Sequence, residues 1–170
     1  MRERLPAILM MIGAVLLQAG LAPYLSILGV TPNLILLVVV SIALGTGAEE
    51  GALAGFLGGL AFDLLGTGPV GVMTLVLTLT GFLAGLLHNE LFTEGWRLPL
   101  TVLALAALLS ETAYAALLLL FGSEFGFWSA FITKMLPGAI FDSVLALLVF
   151  PWSNRFLQPS RSITTFKRLT

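Results

Sequence analysis

The sequence predicts an all-helical integral membrane protein with six transmembrane helices and both termini on the cytoplasmic side. Three observations carry that expectation. Of the 170 residues, 58% are hydrophobic and 10% are charged, whereas an average soluble domain is about 25% charged. No Asp, Glu, Lys, Arg or His occurs between Leu5 and Ala48, or between Leu64 and Leu87. A helix crosses the hydrocarbon core with about 20 apolar residues, so the first run alone holds two spans. Finally, every lysine and arginine except Lys134 falls outside the apolar segments.

The first span is Leu5–Ala22. Arg2 and Arg4 give it the basic start of a signal peptide, but the apolar run is long, Pro23 stands where a cleavable bond would be, and further spans come after it. It therefore reads as an uncleaved span. Pro23 and the stretch Gly29–Pro32 separate it from the second segment, Asn33–Thr46, and Glu49–Glu50 predict a turn before the third, Gly51–Leu65. One continuous helix through that pair would bury two adjacent carboxylates. Gly66, Gly68 and Pro69 lead into the fourth, Val70–Leu87, with Pro69 suited to a helix start. His88–Arg97 precedes the fifth, Leu98–Phe121, and Gly122–Gly126 the sixth, Ser129–Trp152. Within the sixth, Pro137–Gly138 predicts a kink, because proline removes a backbone donor and clashes with the preceding turn.

The second and third segments are short. Their 14 and 15 residues reach about 21–23 Å against about 30 Å of hydrocarbon. Such segments either extend through their flanks or lie inside the bundle, where protein rather than lipid surrounds them.

With six spans both termini share one side, and that side carries Arg2, Arg4, Arg97, Arg155, Arg161, Lys167 and Arg168, while the opposite loops carry no lysine or arginine. The positive-inside rule makes that side cytoplasmic. Trp96, Trp128 and Trp152 fall at segment ends, where amphipathic rings sit at the interface. The basic tail from Arg155 to Arg168 serves this positive-inside signal or meets anionic lipid head groups of the bilayer.

Gly51, Gly55 and Gly59 recur at every fourth position of the third segment. In a membrane such residues let two helix backbones approach closely. Gly47 would extend the series but precedes the expected turn. Residues four apart drift by about 40° on a helix, so Asp63 lies about 120° from Gly51, near the outer end of the span. Its expected role is to hydrogen-bond the adjoining turn, with a partner contact on the outer surface as the sharper alternative. Gly81 and Gly85 offer a second small-residue face, compatible with a homodimer.

Glu111, Lys134 and Asp142 also fall at membrane depth, where ionisable groups face a protein interior or a watery cavity. From the outer side Glu111 lies about 15 Å deep, Lys134 about 8 Å and Asp142 about 20 Å. These depths predict a Glu111–Lys134 ion pair with Asp142 close enough to share the lysine. Tyr114, on the same helix face as Glu111, adds a hydroxyl. The cluster reads as structural, joining the fifth and sixth helices, with a proton or substrate path as the alternative.

Several chemistries are excluded or unsupported. There is no cysteine, so no disulfide or thiolate site. The stretch Gly66–Gly71 matches G-x-G-x-x-G but comes after a membrane helix rather than a strand. His88 is the single histidine, which is thin support for a metal or for acid–base work. No catalytic triad, zinc-helix motif or phosphate loop is present, and nothing interleaves basic with aromatic residues for nucleic acid. No cofactor is expected, and nothing argues for an enzyme.

Thr31-Pro32-Asn33-Leu34 opens the second segment, Gly58-Gly59-Leu60-Ala61-Phe62-Asp63-Leu64-Leu65 closes the third, and Pro69-Val70-Gly71 leads into the fourth. With the short basic N-terminus and tail, these features resemble the MreD family, the small membrane subunit of the bacterial rod-shape machinery. That resemblance implies a non-enzymatic scaffold in the bacterial cytoplasmic (inner) membrane that binds MreC, a single-span protein with a periplasmic domain. Through MreC it implies action with MreB, RodA and a class B penicillin-binding protein in lateral peptidoglycan synthesis. It also implies a fold similar to the substrate-binding subunits of energy-coupling-factor transporters. A small-solute-binding subunit of a membrane transporter is therefore the rival function, with Asp63, Glu111 and Lys134 lining its cavity.

Overall fold

The computed structural model describes residues 5–26, 29–89, 97–122 and 126–157, and all of the regular structure among them is helical. The helices are α1 (Leu5–Gly20), α2 (Leu34–Thr46), α3 (Ala48–Leu65), α4 (Val72–Leu86), α5 (Arg97–Leu120) and α6. A short 3₁₀ turn, Ala22–Leu25, succeeds α1. The last helix, α6, opens as an α-helical turn (Phe127–Ala130), passes through a π-helical turn (Phe131–Met135) and continues as Leu136–Leu157. Arg2, Arg4, Trp96, Arg161, Lys167 and Arg168 lie outside the described residues.

Two stretches are long and apolar enough to cross a membrane by themselves, Pro99–Leu120 with 22 residues and Phe127–Ser153 with 27. Three shorter apolar helices, α1, α2 and α4, accompany them. The second helix is thus short, as expected, with 13 residues, but the third is not. Helix α3 has 18 residues because it begins at Ala48 and takes Glu49 and Glu50 into its first turn. Carboxylates suit that position, where the unpaired N–H groups carry partial positive charge. The break falls instead at Gly47, whose φ of 108° is open to glycine and strained for other residues.

Helix α2 is the axis of the bundle. Every residue from Leu34 to Leu44 is buried, as befits a helix that is apolar all round. It contacts α1, α3, α4, α5 and α6. Its β-branched run Val38-Val39-Val40 would weaken an isolated helix, but burial on all sides demands that each backbone group be paired internally.

At Pro137, where a kink is expected, α6 departs from regular α-helix in a specific form. Pro137 has no N–H to donate, and the helix widens just before it: the Leu136 N–H reaches back five residues to the Phe131 carbonyl. Such a π turn inserts one extra residue and rotates the first part of the helix against the second.

Candidate functional site

The glycines of α3 face α4 in an antiparallel seam. A methyl group placed on Gly51 would collide with the Gly81 carbonyl oxygen, one on Gly55 with the Leu77 carbonyl oxygen, and one on Gly59 would lie 2.5 Å from Thr74 Cα. From the other side, a methyl on Gly85 would lie 2.5 Å from Ala48 Cα. The steps of four along α3, from Gly51 to Gly55 to Gly59, are therefore met by steps of four and three backwards along α4, from Gly81 to Leu77 to Thr74. Gly81 and Gly85 are occupied inside the chain by this seam, which leaves them no face for self-association.

The seam ends at Asp63, which is buried and closes the start of α4. Its Oδ2 accepts hydrogen bonds from the N–H of Gly71 at 2.8 Å, the N–H of Thr74 at 2.9 Å and the hydroxyl of Thr74 at 2.7 Å. Its Oδ1 accepts from the N–H of Met73 at 3.1 Å. Helix α4 has no cap of its own: Gly71 occupies the capping position with φ of 105°. The carboxylate from α3 supplies what the local sequence lacks, both as acceptor and as negative charge at a helix N-terminus.

A second carboxylate does the same for α2. The Asn33 N–H donates to Asp142 Oδ1 at 2.8 Å, and the Asn33 side chain accepts from the Leu36 N–H at 3.0 Å. Gln18 of α1 completes the set, accepting from the Leu34 N–H at 2.8 Å and donating to the Pro32 carbonyl at 3.1 Å. Asp142 lies about 20 Å along α6 from its first turn, so α2 starts well along α6 from its N-terminal end. At the other end of α2, His88 Nδ1 meets the Leu44 carbonyl at 2.6 Å. The central helix is thus clamped from α1 and α6 at its start and from the end of α4 at its finish.

Glu111, Tyr114 and Lys134 divide differently from the sequence expectation. Glu111 sits beside α6 at Gly138, its carboxyl carbon 4.0 Å from where a methyl on that glycine would be, and within electrostatic reach of Asp142. The Tyr114 hydroxyl approaches Gly68, between Glu111 and the Asp63 cap. Lys134 does not join them. It is exposed on the π-helical turn, and no ion pair links it to Glu111 or Asp142 among the described residues. Depth alone suggests the pair; the π turn changes the azimuth of Lys134, and the nearest partner of Asp142 is a backbone N–H of α2.

Sequence reasoning does not single out Gln18 or Thr74, and it takes Asn33 only as part of the stretch that opens the second segment. Asn33 carries a usable signal, a capping residue directly before an apolar run. Gln18 and Thr74 are lone polar residues inside apolar stretches, and their partners are distant in sequence. Another such link joins the hydroxyls of Thr80 and Ser110 at 2.9 Å between α4 and α5.

Chemically, these side chains hold helices to one another. Among the described residues no group of three metal-ligating side chains converges. The sequence profile of the family described as rod shape-determining protein MreD matches residues 2–160. The chain belongs to the MreD family. Searches of curated proteins and of solved structures return no match. MreD membership gives a role in rod-shape determination and a membrane-associated family that is not a known enzyme family.

Proposed function

We propose that the chain is a multi-pass subunit of the bacterial cytoplasmic membrane that acts as a non-enzymatic scaffold in cell elongation. It binds MreC and, through it, serves MreB, RodA and a class B penicillin-binding protein in lateral peptidoglycan synthesis. Six helices cross the bilayer with both termini inside, in keeping with the distribution of lysine and arginine. Family membership supports the process. The scaffold role rests on one structural observation: the buried carboxylates Asp63 and Asp142 are engaged by helix N-termini, so these two groups fix helix positions rather than being presented to a solute. A solute-binding subunit would use such carboxylates as ligands to its cargo.

The test is depletion of the chain in its rod-shaped host. Depleted cells are expected to round up and to lose lateral incorporation of peptidoglycan precursors, and the wild-type chain restores both. Cells that keep their shape and lateral incorporation after full depletion contradict the proposal.

A further inference from the structure

Helix α6 presents an apolar stripe to its surroundings at steps of four: Ile132, Leu136, Ile140, Val144 and Leu148 are all exposed. From Phe127 to Phe150 the exposed polar residues are Ser129, Thr133 and Lys134, all within the first two turns. The π turn puts them there. Ile132, Thr133 and Lys134 are exposed in succession, where a lysine is otherwise costly against hydrocarbon.

We infer that the start of α6 binds the phosphate head group of an anionic membrane lipid, with Lys134 as its cation and the stripe below as the track for an acyl chain. The inference rests on the six-span topology proposed above only for the leaflet, which is then the outer one.

The dimensions fit. Trp128 is 74% exposed and packs edge-on against Phe127 and Phe131, with ring centroids 5.9 and 6.3 Å away. Such rings sit at the level of the head groups. Lys134 lies six residues further in, about 9 Å. Cα–Cβ bonds tilt toward the N-terminus of a helix, so the Lys134 stem leans back toward Trp128. That stem reaches about 6 Å, which brings the ammonium to within about 3 Å of the head-group level. From Ile132 to Val144 the stripe runs about 18 Å, close to the half-thickness of the hydrocarbon, about 15 Å.

Charge selects the occupant. Among the described residues Lys134 has no ion-pair partner. The Thr133 hydroxyl donates to the Ser129 carbonyl at 2.7 Å, which leaves the lysine as the principal donor of the patch. A neighbouring protein would have to bring a carboxylate into hydrocarbon to meet it, at a cost of its own. Lipid phosphates already stand at the interface toward which the side chain leans. A net anionic head group is favoured over a zwitterionic one, whose own ammonium competes with the lysine.

The test uses the full-length chain by itself, purified in mild detergent, with phosphatidylglycerol or phosphatidylcholine of equal chain length added before native mass spectrometry. Phosphatidylglycerol is expected to give the more abundant first adduct. Lys134→Met should lower that adduct about threefold, the scale of one partly exposed ion pair, and Lys134→Arg should retain it. Arg155→Gln, at the far end of the helix, should leave it unchanged. In nanodiscs, phosphatidylglycerol with a photoreactive acyl chain should label the peptide holding Ile132, Leu136 and Ile140, and Lys134→Met should weaken the labelling. Soluble glycerol phosphate should not compete. Equal losses from Lys134→Met and Arg155→Gln, labelling spread evenly over the exposed helices, or competition by glycerol phosphate overturns the inference. So does a carboxylate-bearing protein that cross-links to position 134 in place of lipid. The scaffold reading stands under the lipid results, since none of these measurements involves an MreC-class protein. Failure of that partner to bind leaves the lipid site in place.

Discussion

Asp63 accepts two hydrogen bonds from Thr74 on the same oxygen, one from its backbone N–H at 2.9 Å and one from its hydroxyl at 2.7 Å. The pair joins the end of α3 to the start of α4 at the point where the glycine seam stops. Close backbone packing and helix capping are therefore parts of one joint.

Removing that carboxylate leaves the first N–H groups of α4 unpaired in a buried setting. Asp63→Ala is expected to cost about 3 kcal/mol, because hydrogen bonds to a charged group are worth about 1.5–3 kcal/mol and the orphaned donors add their desolvation. Asp63→Asn keeps one acceptor and should cost about half as much. Reversible unfolding in mixed detergent micelles measures both. Equal stability of Asp63→Ala and wild type would remove the capping role.

The seam makes a contrast between glycines. Gly55→Ala puts a methyl group against the Leu77 carbonyl, a backbone atom that yields only if α4 shifts, at an expected cost of about 1–3 kcal/mol. Gly13→Ala meets nothing within 4 Å and should gain up to about 1 kcal/mol from helix propensity. The same unfolding assay compares them, and a loss at Gly13 equal to that at Gly55 would show that propensity rather than contact decides.

At the start of α2, Gln18→Leu and Asp142→Leu each remove an acceptor for an adjacent N–H, Leu34 and Asn33 respectively. Each should cost about 1 kcal/mol or more. The two share one helix end, so the double variant should be non-additive. Amide hydrogen exchange gives the local readout: faster exchange at Asn33 and Leu34, with Val38–Val40 unchanged. Uniform acceleration along α2 would mean that the caps act globally.

Lys134 and Glu111 should behave independently. Lys134→Met and Glu111→Gln are expected to combine within about 0.3–0.5 kcal/mol of their sum, the usual tolerance for residues that share no contact. A larger coupling in a double-mutant cycle would restore the ion pair that their depths suggest.

These cases show where the sequence is legible. Hydropathy locates the helices to within a few residues, because long apolar runs and glycine–proline breaks leave little choice. The Gly51, Gly55, Gly59 series reads as a packing face from spacing alone, and Asp63 as its terminus. Which helix that face meets is not legible, and Gly81 and Gly85 read as a separate surface until the antiparallel register sets them opposite Gly51 and Ala48. The Glu49–Glu50 pair looks like a turn because two carboxylates are costly in hydrocarbon. A helix N-terminus accepts them, and Gly47 makes the turn. Lys134 is misplaced by sequence because depth along a helix says nothing of azimuth, and the π turn before Pro137 alters azimuth in a way no regular periodicity reveals. The clamp of Gln18, Asn33, Asp142 and His88 around α2 joins residues up to 109 positions apart, and single polar residues in apolar runs do not announce their partners.

The most direct test of the scaffold account is native mass spectrometry of the chain purified in mild detergent after co-expression with an MreC-class protein. The account predicts a complex of the two proteins in which the chain carries no vitamin-sized ligand. Recovery of the chain alone, with a small solute tightly retained, would contradict it.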